Sequence, residues 1–150
     1  MRMKDEKAIT RLGKQSPRYR FFLNPYRDVR FSKCPQCSNK MGQRKLPLFI
    51  HIAPNQSLLL NKTCRYCSSC DLLIAHQDEL DHLITKAFSS LDPKTVSSQY
   101  LVIGTVDRAD WKRIDQNKLS VQATIEALHD FKEVVIFKPM GGWEYKASFS

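Results

Sequence analysis

The sequence predicts a small α+β protein, and three stretches of the 150-residue chain carry that prediction. Apolar residues alternate over 45–63 on either side of a turn signal at 54–56, which predicts a β-hairpin. Residues 78–88 place apolar side chains at helical spacing, which predicts an amphipathic helix. A strand, a helical connection and a second strand over 100–137 predict a small βαβ-like unit.

Composition places the chain among ordinary globular proteins. Hydrophobic residues make up 42% and charged residues 26%, which argues against wholesale disorder. The first thirty residues contain no apolar core of the kind that a secretory signal needs, and no stretch approaches the roughly 20 apolar residues that span a bilayer. We therefore expect a soluble, cytoplasmic protein without a membrane partner.

The positive charge is concentrated at one end of the chain. The net charge is +9, yet residues 1–45 hold thirteen Lys or Arg and only three acids, whereas residues 46–150 are nearly neutral. Such a basic end is typical of proteins that bind nucleic acid, although a solvated tail that only adds solubility has the same composition.

The first predicted unit, residues 1–30, is a basic arm followed by a docking segment. Up to about Arg20 no apolar periodicity is present, which indicates a mobile arm. Cations alternate with aromatic residues at the end of this arm. Such a pattern can bind nucleic acid, because cations neutralise phosphates and aromatic rings stack on unpaired bases. The alternative is that the rings only cover the core. The candidate nucleic-acid-binding residues are Arg11, Lys14, Arg18, Tyr19, Arg20, Arg27 and Arg30.

Four of the five cysteines form two Cys-x-x-Cys pairs, Cys34/Cys37 and Cys67/Cys70. In a chain without an export signal, this spacing favours a metal over disulfides. Zinc takes four ligands at tetrahedral corners, and each pair supplies two thiolates from one tight turn. A site with four thiolates has no open position for water, so we expect one structural Zn²⁺ and no zinc catalysis. His51 and His76 are expected to be ordinary histidines.

At this point the sequence resembles the zinc-ribbon family. The resemblance rests on the two pairs, on the hairpin between them, and on the apolar residues 72–74 that directly follow the second pair, a short third strand. It implies a ribbon over 31–76 as the second unit. The zinc-ribbon family usually has glycine after the second cysteine of each pair, where φ is often positive. This chain has Ser38 and Asp71 at those positions, a departure that weakens the resemblance only slightly, because Asp tolerates positive φ better than most residues.

Cys64 leaves the ligand set open, because Cys64-x-x-Cys67 is also an admissible pair. We favour Cys67/Cys70, since the apolar strand of a ribbon follows its last ligand directly. Cys64 is the alternate ligand. An iron–sulfur cluster held by Cys64, Cys67, Cys70 and one cysteine of the first pair is a further alternative, and so are reduced thiols without a metal.

The third predicted unit, residues 77–150, begins with the amphipathic helix, whose stripe has Leu83 at its centre. A buried strand is predicted for 100–106, Ser120 is a suitable N-cap for a helix that runs to about residue 131, and 134–137 is a second strand. We expect the two strands to pair in parallel within the βαβ-like unit. Because two strands alone are not a sheet, the unit must also pair with the ribbon strands, with Phe21–Phe31 or with a second subunit.

Asp107-Arg108-Ala109-Asp110-Trp111 follows the buried strand, at the kind of position where ligands gather in parallel α/β units. Asp110 can equally cap a short helix, and we favour capping because no nucleophile–base pair or phosphate loop accompanies these residues.

The sequence thus predicts a non-catalytic zinc protein that binds RNA or DNA or associates with a nucleoprotein. The alternative is a protein-interaction adaptor that uses the ribbon and the helix. A third hypothesis is an enzyme that uses Asp107–Trp111. No small-molecule substrate is evident in the sequence.

Overall fold

The computed structural model describes residues 12–52, 56–87, 100–117, 121–138 and 144–145. This part of the chain has a mixed α+β fold in which β-sheet dominates and three helices are present, so the predicted class is confirmed. None of the helices described is long and apolar enough to cross a bilayer.

The strands and helices follow one another in a simple order. The strands are β1 (Arg20–Asn24), β2 (Val29–Arg30), β3 (Gly42–Ile52), β4 (Gln56–Cys67), β5 (Leu72–His76), β6 (Tyr100–Thr105), β7 (His129–Asp130), β8 (Glu133–Val134) and β9 (Glu144–Tyr145). The helices are α1 (Gln77–Ala87), α2 (Arg108–Asn117) and α3 (Val121–Ala127). The predicted hairpin corresponds to β3 and β4, and the predicted short strand after the second cysteine pair corresponds to β5.

The main sheet closes on itself into a barrel. Its strand order is β7-β6-β3-β4-β5-β1-β8, and the two outermost strands belong to one stretch of chain, residues 129–134. β7 pairs with β6, whereas β8 pairs in parallel with β1. Backbone hydrogen bonds from Phe131 to Ile103 and from Lys132 to Tyr19 lie between these two pairings. The stretch 129–134 is therefore the closing strand of the barrel.

One face of the sheet forms the barrel interior. Side chains alternate between the faces of a strand, so Leu48 and Ile50 of β3 point inward while Phe49 points outward. Phe21 stacks on Phe131 of the closing strand, with ring centroids 4.4 Å apart. The interior cluster consists of Tyr19, Phe21, Leu46, Leu48, Ile50, Ile52, Cys64, Leu73, Ala75, Leu80, Ile84 and Phe131.

Helix α1 packs against the interior cluster through Leu80 and Ile84, which are fully buried. Its range confirms the predicted helix to within a residue, and Phe88, the last predicted residue, lies outside the described residues. The prediction that Leu83 is the centre of the apolar stripe was wrong, however, because Leu83 is only half-buried. The helix contacts the barrel along a narrow line, so that the residues next to that line remain partly exposed.

Two apolar clusters lie on the outer face of the sheet. One surrounds the paired cysteines and consists of Phe22, Val29, Phe31, Cys34, Met41, Cys67, Leu72 and Ile74. The other lies at β3 and β6, where Phe49, Val106 and Leu128 pack with half-buried Trp111 of α2. The barrel wall is therefore covered by the cysteine loops at one side and by α2 and α3 at another.

The predicted parallel pairing within residues 100–137 was wrong. β6 pairs with β3 and β7, both antiparallel, and the second strand is shorter than predicted, β8 instead of 134–137. β8 lies beside β1 and is separated from β6 by four strands in the sheet order. The physical reason is that β1 carries buried Phe21 and Phe22 and offers a free edge. Pairing of the unit with the Phe21–Phe31 segment and with the ribbon strands was among the predicted alternatives, and β8 beside β1 and β6 beside β3 correspond to these two.

Half of the predicted mobile arm is part of the fold, and residues 1–11 lie outside the described residues. The backbone N–H groups of Leu12 and Gly13 donate to the Asp130 carboxylate. Further along, the backbone N–H of Lys14 donates to α3, that of Gln15 to Leu128 just after α3, and that of Arg18 to β7. These backbone contacts explain why apolar periodicity failed to indicate order here.

The predicted helix from Ser120 to about residue 131 is shorter in the structure, where α3 ends at Ala127; Ser120 itself lies outside the described residues. Asp110 does not cap α2, which begins at Arg108. Instead, Asp110 lies within its first turn and pairs with Arg113 at 2.6 Å.

Candidate metal centre

The first cysteine pair lies on a loop between β2 and β3 that is folded back on itself. The backbone N–H of Cys34 donates to the carbonyl of Asn39 at 2.8 Å, and the N–H of Ser38 donates to the carbonyl of Cys34 at 2.9 Å. An antiparallel bridge between Lys33 and Lys40 closes the base of this loop. The hydrogen bonds hold both cysteines on one side of a tight turn.

The second cysteine pair lies at the turn between β4 and β5. Cys67 is the last residue of β4, Cys70 lies in the turn, and Leu72 begins β5. Ser38 and Asp71, each directly after the second cysteine of its pair, have φ of 68° and 54°. These are the two positions at which glycine is expected in the family, and the backbone adopts the left-handed conformation there even without glycine.

The four sulfur atoms form a compact cluster. All four Sγ atoms lie within 4.8 Å of one another. Cys34 Sγ lies 3.9 Å from Cys70 Sγ, and Cys37 Sγ lies 3.5 Å from Cys67 Sγ. A tetrahedral ion with metal–sulfur bonds of about 2.3 Å separates its ligands by about 3.8 Å, so the cluster has the right size for one such ion. The four cysteines are therefore placed to hold a metal ion together.

Without a metal, the protonation of the cluster is uneven. Burial, followed by the neighbouring Cys37 and Cys34 sulfurs, raises the pKa of Cys70 to about 12, and burial also raises the pKa of Cys34. The backbone N–H of Asn39 lowers the pKa of Cys37. Crowded thiols resist becoming four thiolates together, because each new negative charge repels the others. A cation at the centre removes this penalty, so metal binding and loss of the protons are coupled.

Cys64 lies on the other face of the sheet. It belongs to the barrel interior, 2% exposed, whereas Cys67 three positions later faces outward with the paired cysteines. Burial raises the pKa of Cys64 to about 12. The structure therefore brings together the favoured set with Cys70 and does not bring Cys64, the alternate ligand, to the site. His51 contacts Ser57, and neither it nor His76 joins the cluster.

Side chains tie the two loops to each other and to the barrel. Asn39 Nδ2 donates to Ser69 Oγ at 3.1 Å, across the two loops. The Asp71 carboxylate accepts hydrogen bonds from Tyr66 at 3.0 Å and from Lys132 at 2.8 Å. Burial alone raises the pKa of Asp71, but the hydrogen bonds from Lys132 and Tyr66 outweigh it, and its pKa is lower than usual. The cysteine cluster is thereby linked to the closing strand through Asp71 and Lys132.

The predicted nucleic-acid-binding residues have separate environments. Arg11 lies outside the described residues, and the exposed side chain of Lys14 forms no ion pair within the described part. Arg18 pairs with Asp107 at 2.9 Å. Tyr19 is 5% exposed, so its ring is covered by the fold.

The remaining three predicted residues lie along and after β1. Arg20 pairs with Glu133 at 3.1 Å and donates to Gln36 at 2.6 Å. Arg27 lies 3.8 Å from Asp78, and Arg30 is exposed. Since β1 spans five residues at about 3.3 Å per residue, Arg18 and Arg27 lie at opposite ends of that strand and do not form one patch.

Two cations that the sequence-based prediction did not name lie beside the cysteine cluster. Lys33 and Lys40 are exposed and lie directly opposite each other at the base of the first cysteine loop. Neither forms an ion pair with any residue that the structure describes. In the sequence, Lys33 lies one residue before Cys34 and Lys40 three residues after Cys37. This spacing indicates that the two lysines are neighbours only once the loop between them is known to fold back.

Comparison with known proteins adds no relative: no protein-family model matches the chain, and no curated protein or solved structure is found to be similar.

Proposed function

We propose that the protein holds one structural Zn²⁺ through Cys34, Cys37, Cys67 and Cys70. The observation that carries this proposal is the sulfur cluster, whose four Sγ atoms lie within 4.8 Å of one another. Zinc is the metal that four thiolates at tetrahedral corners select most commonly. A cluster with several irons needs more space between the sulfurs than a single ion does, and the Cys64 ligand of that alternative faces the barrel interior.

Zinc in this position links the two cysteine loops to each other, because it bonds to two cysteines of each. The two cysteine loops cover the outer apolar cluster at β1 and β5, where Phe22, Leu72 and Ile74 are almost fully buried. Among the described residues, the Asn39–Ser69 hydrogen bond joins the two loops directly. Arg20 bonds to both loops, through its backbone N–H to Asp71 and through its guanidinium to Gln36. Because all four coordination positions are taken by thiolates, the ion stabilises the fold and offers no position for a reacting water.

We further propose that the first cysteine loop binds nucleic-acid phosphates. Lys33 and Lys40 lie opposite each other, and like charges in opposed positions destabilise a bridge unless an anion lies between them. Arg30 adds a third exposed cation in the same stretch. Four thiolates around one Zn²⁺ carry a net double negative charge, which offsets part of this positive charge. The exposed lysine side chains nevertheless extend from a rigid loop towards solvent.

A titration of fluorescent single-stranded RNA and DNA at several salt concentrations tests this binding. We expect affinity to fall steeply with salt, with a log–log slope of about −0.7 for each contacted phosphate. Replacing both lysines, Lys33→Gln with Lys40→Gln, should weaken binding to all sequences alike and flatten the slope by about 1.4. The control is Lys86→Gln with Lys112→Gln, which removes the same charge from exposed positions on α1 and α2.

Equal losses in the two double variants would mean that only the net charge matters, and the proposed surface would be wrong. Weak binding by every variant, without a salt dependence, would favour the adaptor hypothesis. That hypothesis has one observation of its own, since Val134, the last residue of the closing strand, and Ile136 just after it are apolar and yet 63% and 79% exposed.

The enzyme hypothesis for Asp107–Trp111 stays a prediction. The Asp107 carboxylate pairs with Arg18, and the nearby hydroxyl of Thr105 already donates to the carbonyl of Pro47 at 2.6 Å. Neither side chain is therefore arranged as a nucleophile with its base.

A further inference from the structure

A cavity of about 140 Å³ lies at the mouth of the barrel, and none of the four paired cysteines lines it. Strand β3 begins at Gly42, but β6 pairs with it only from Leu48 onward, opposite Thr105. The cavity lies beside the part of β3 that β6 leaves uncovered, between that strand, the segment before β1 and the start of α2. Mouths of β-barrels are common positions for small ligands.

Positive charge dominates the lining of the cavity. Four cations line it, Arg18, Arg44, Lys45 and Arg108, against the single carboxylate of Asp107. That carboxylate bonds to Arg18 at 2.9 Å. Within the described part of the chain none of the other three cations forms an ion pair, although the Asp71 carboxylate lies near enough to Arg44 to interact with its charge. The lining therefore has a surplus of positive charge in a partly enclosed space, and the carboxylates of Asp107 and Asp71 offset only part of it.

Two guanidinium groups are held in place by one tyrosine. Arg44 Nη1 and Arg18 Nη2 donate to the phenol oxygen of Tyr19 at 3.0 and 3.2 Å. The Arg44 guanidinium also lies over the ring of Tyr66, 4.2 Å from its centroid. Each guanidinium has five N–H donors in a planar fork, so most of these donors remain available after the bond to Tyr19. Two cations brought to one oxygen repel each other, and an anion between them removes that repulsion.

The backbone near the cavity supports the same conclusion. Tyr19 is buried and has φ of 67°, a left-handed conformation that a bulky residue adopts only when its surroundings hold it there. This conformation places its phenol between the two arginines. Helix α2 starts at Arg108, which lines the cavity, so the positive end of the helix dipole lies at its rim.

The geometry points to a binding site for a phosphate group at the barrel mouth, with Arg44 and Arg18 as its forks and Lys45 and Arg108 as further cations. The shape of guanidinium matches a tetrahedral oxyanion, and the bonds are charge-assisted. The space suits one phosphate group rather than a nucleoside, and Tyr19 is covered, so no exposed ring of the cavity stacks a base. The ligand is free phosphate or the terminal phosphate of a small metabolite. This site is separate from the cysteine loop, and its existence does not depend on nucleic-acid binding there.

Titration calorimetry on the zinc-loaded full chain tests the site, with inorganic phosphate, a small phosphate monoester and a dinucleotide as probes. Chloride keeps the ionic strength constant, so that general screening is the same throughout. We expect saturable binding of inorganic phosphate, of the monoester, or of both. The probe that binds shows whether the ligand is free phosphate or the terminal phosphate of a small metabolite. The dinucleotide, with one singly charged phosphodiester, should bind about tenfold more weakly or worse.

Three variants locate the site. Arg44→Gln and Lys45→Gln should each weaken phosphate binding about tenfold. Because Lys45 is exposed, Lys45→Gln still tests the position of the phosphate site if Arg44→Gln fails to fold. Asp107→Asn removes the competing carboxylate and should tighten binding, a result that a merely structural role does not produce. The matched control Lys112→Gln, on the same helix as Arg108, should bind phosphate as the unaltered protein does.

Three results would overturn the proposal. The first is an absence of saturable phosphate binding, and the second is an equal loss in Lys45→Gln and Lys112→Gln. The third is a dinucleotide that binds as tightly as phosphate, which would make the cavity part of a nucleic-acid surface.

Discussion

At the residue scale, the choice among five cysteines depends on which face of β4 each one occupies. Cys64 and Cys67 are three positions apart on one strand, so they point to opposite faces. The spacing of the cysteines in the sequence predicted four of them correctly as a cluster within metal-binding distance. It left Cys64 as an alternate because a turn could have begun anywhere after Thr63, and only the length of β4, which continues to Cys67, removes that choice.

A second residue-scale feature is a buried lysine, Lys62, whose positive charge is compensated by the carboxylate of Glu79. Lys62 is 8% exposed, and its ammonium group bonds to Glu79 of α1 at 2.7 Å and to the carbonyl of Thr63. Glu79→Gln removes the compensating charge, and we expect it to lower the free energy of unfolding by about 1–3 kcal/mol, because a buried charge is left without its partner. Urea unfolding at neutral pH measures the change.

The same pair predicts a pH dependence. Burial raises the pKa of Glu79 but the hydrogen bond and charge of Lys62 lower it more, so its pKa lies below the ordinary 4.5. A carboxyl group with a lowered pKa contributes stability above its unfolded pKa and loses that contribution as the pH falls through the folded value. The difference in stability between the unaltered protein and Glu79→Gln should therefore shrink in acid. A difference that stays constant down to the acid transition would show that the ion pair contributes nothing.

At the scale of single elements, the amphipathic stripe predicted the existence and range of α1 but not which residue is its centre. The stripe contains Leu80, Leu83 and Ile84, and the helix could rotate by part of a turn without a change in the pattern. The barrel end accepts Leu80 and Ile84. The rotation of the helix depends on the shape of the surface beneath it, which the pattern does not contain.

The rotation of α1 gives a direct mutational test. Ile84→Ala should lower the free energy of unfolding by about 2–5 kcal/mol, because it leaves a cavity among fully buried side chains. Leu83→Ala is the matched control, with a similar loss of volume at a half-buried position, and its effect should be clearly smaller. Thermal or urea unfolding of both variants decides between them. A larger effect for Leu83→Ala would show that the helix is rotated relative to the structure.

At the scale of the whole molecule, the closed barrel is the feature that the sequence concealed. The closing strand consists of two-residue strands, β7 and β8, and segments this short carry no alternation of their own. The pattern of residues 100–137 therefore suggested a local βαβ-like pairing. The barrel arises instead from long-range pairing with β1 and β6, which is fixed by the packing of Phe21 on Phe131.

Closure brings β6 and β7 unusually close together at Gly104. A Cβ atom at this position would collide with the backbone carbonyl of His129, and backbone cannot move aside as a flexible side chain can. Gly104→Ala should therefore displace the closing strand and lower the melting temperature. Gly42→Ala is the matched control, because its Cβ would meet only the Tyr66 carbonyl at 4.0 Å, an ordinary contact. If the two variants melt alike, β6 and β7 are not in close contact and the barrel is open.

The cysteine cluster involves all three scales, since its loops cover one side of the barrel's outer face and Asp71 links it to the closing strand. The most direct measurement is the metal content of the purified protein and of two variants, Cys64→Ser and Cys70→Ser, by elemental analysis. We predict one zinc per chain in the unaltered protein and in Cys64→Ser, and loss of zinc together with a lower unfolding temperature in Cys70→Ser. Absence of zinc from the unaltered protein, an iron–sulfide chromophore, or retention of zinc by Cys70→Ser but not by Cys64→Ser would contradict this account.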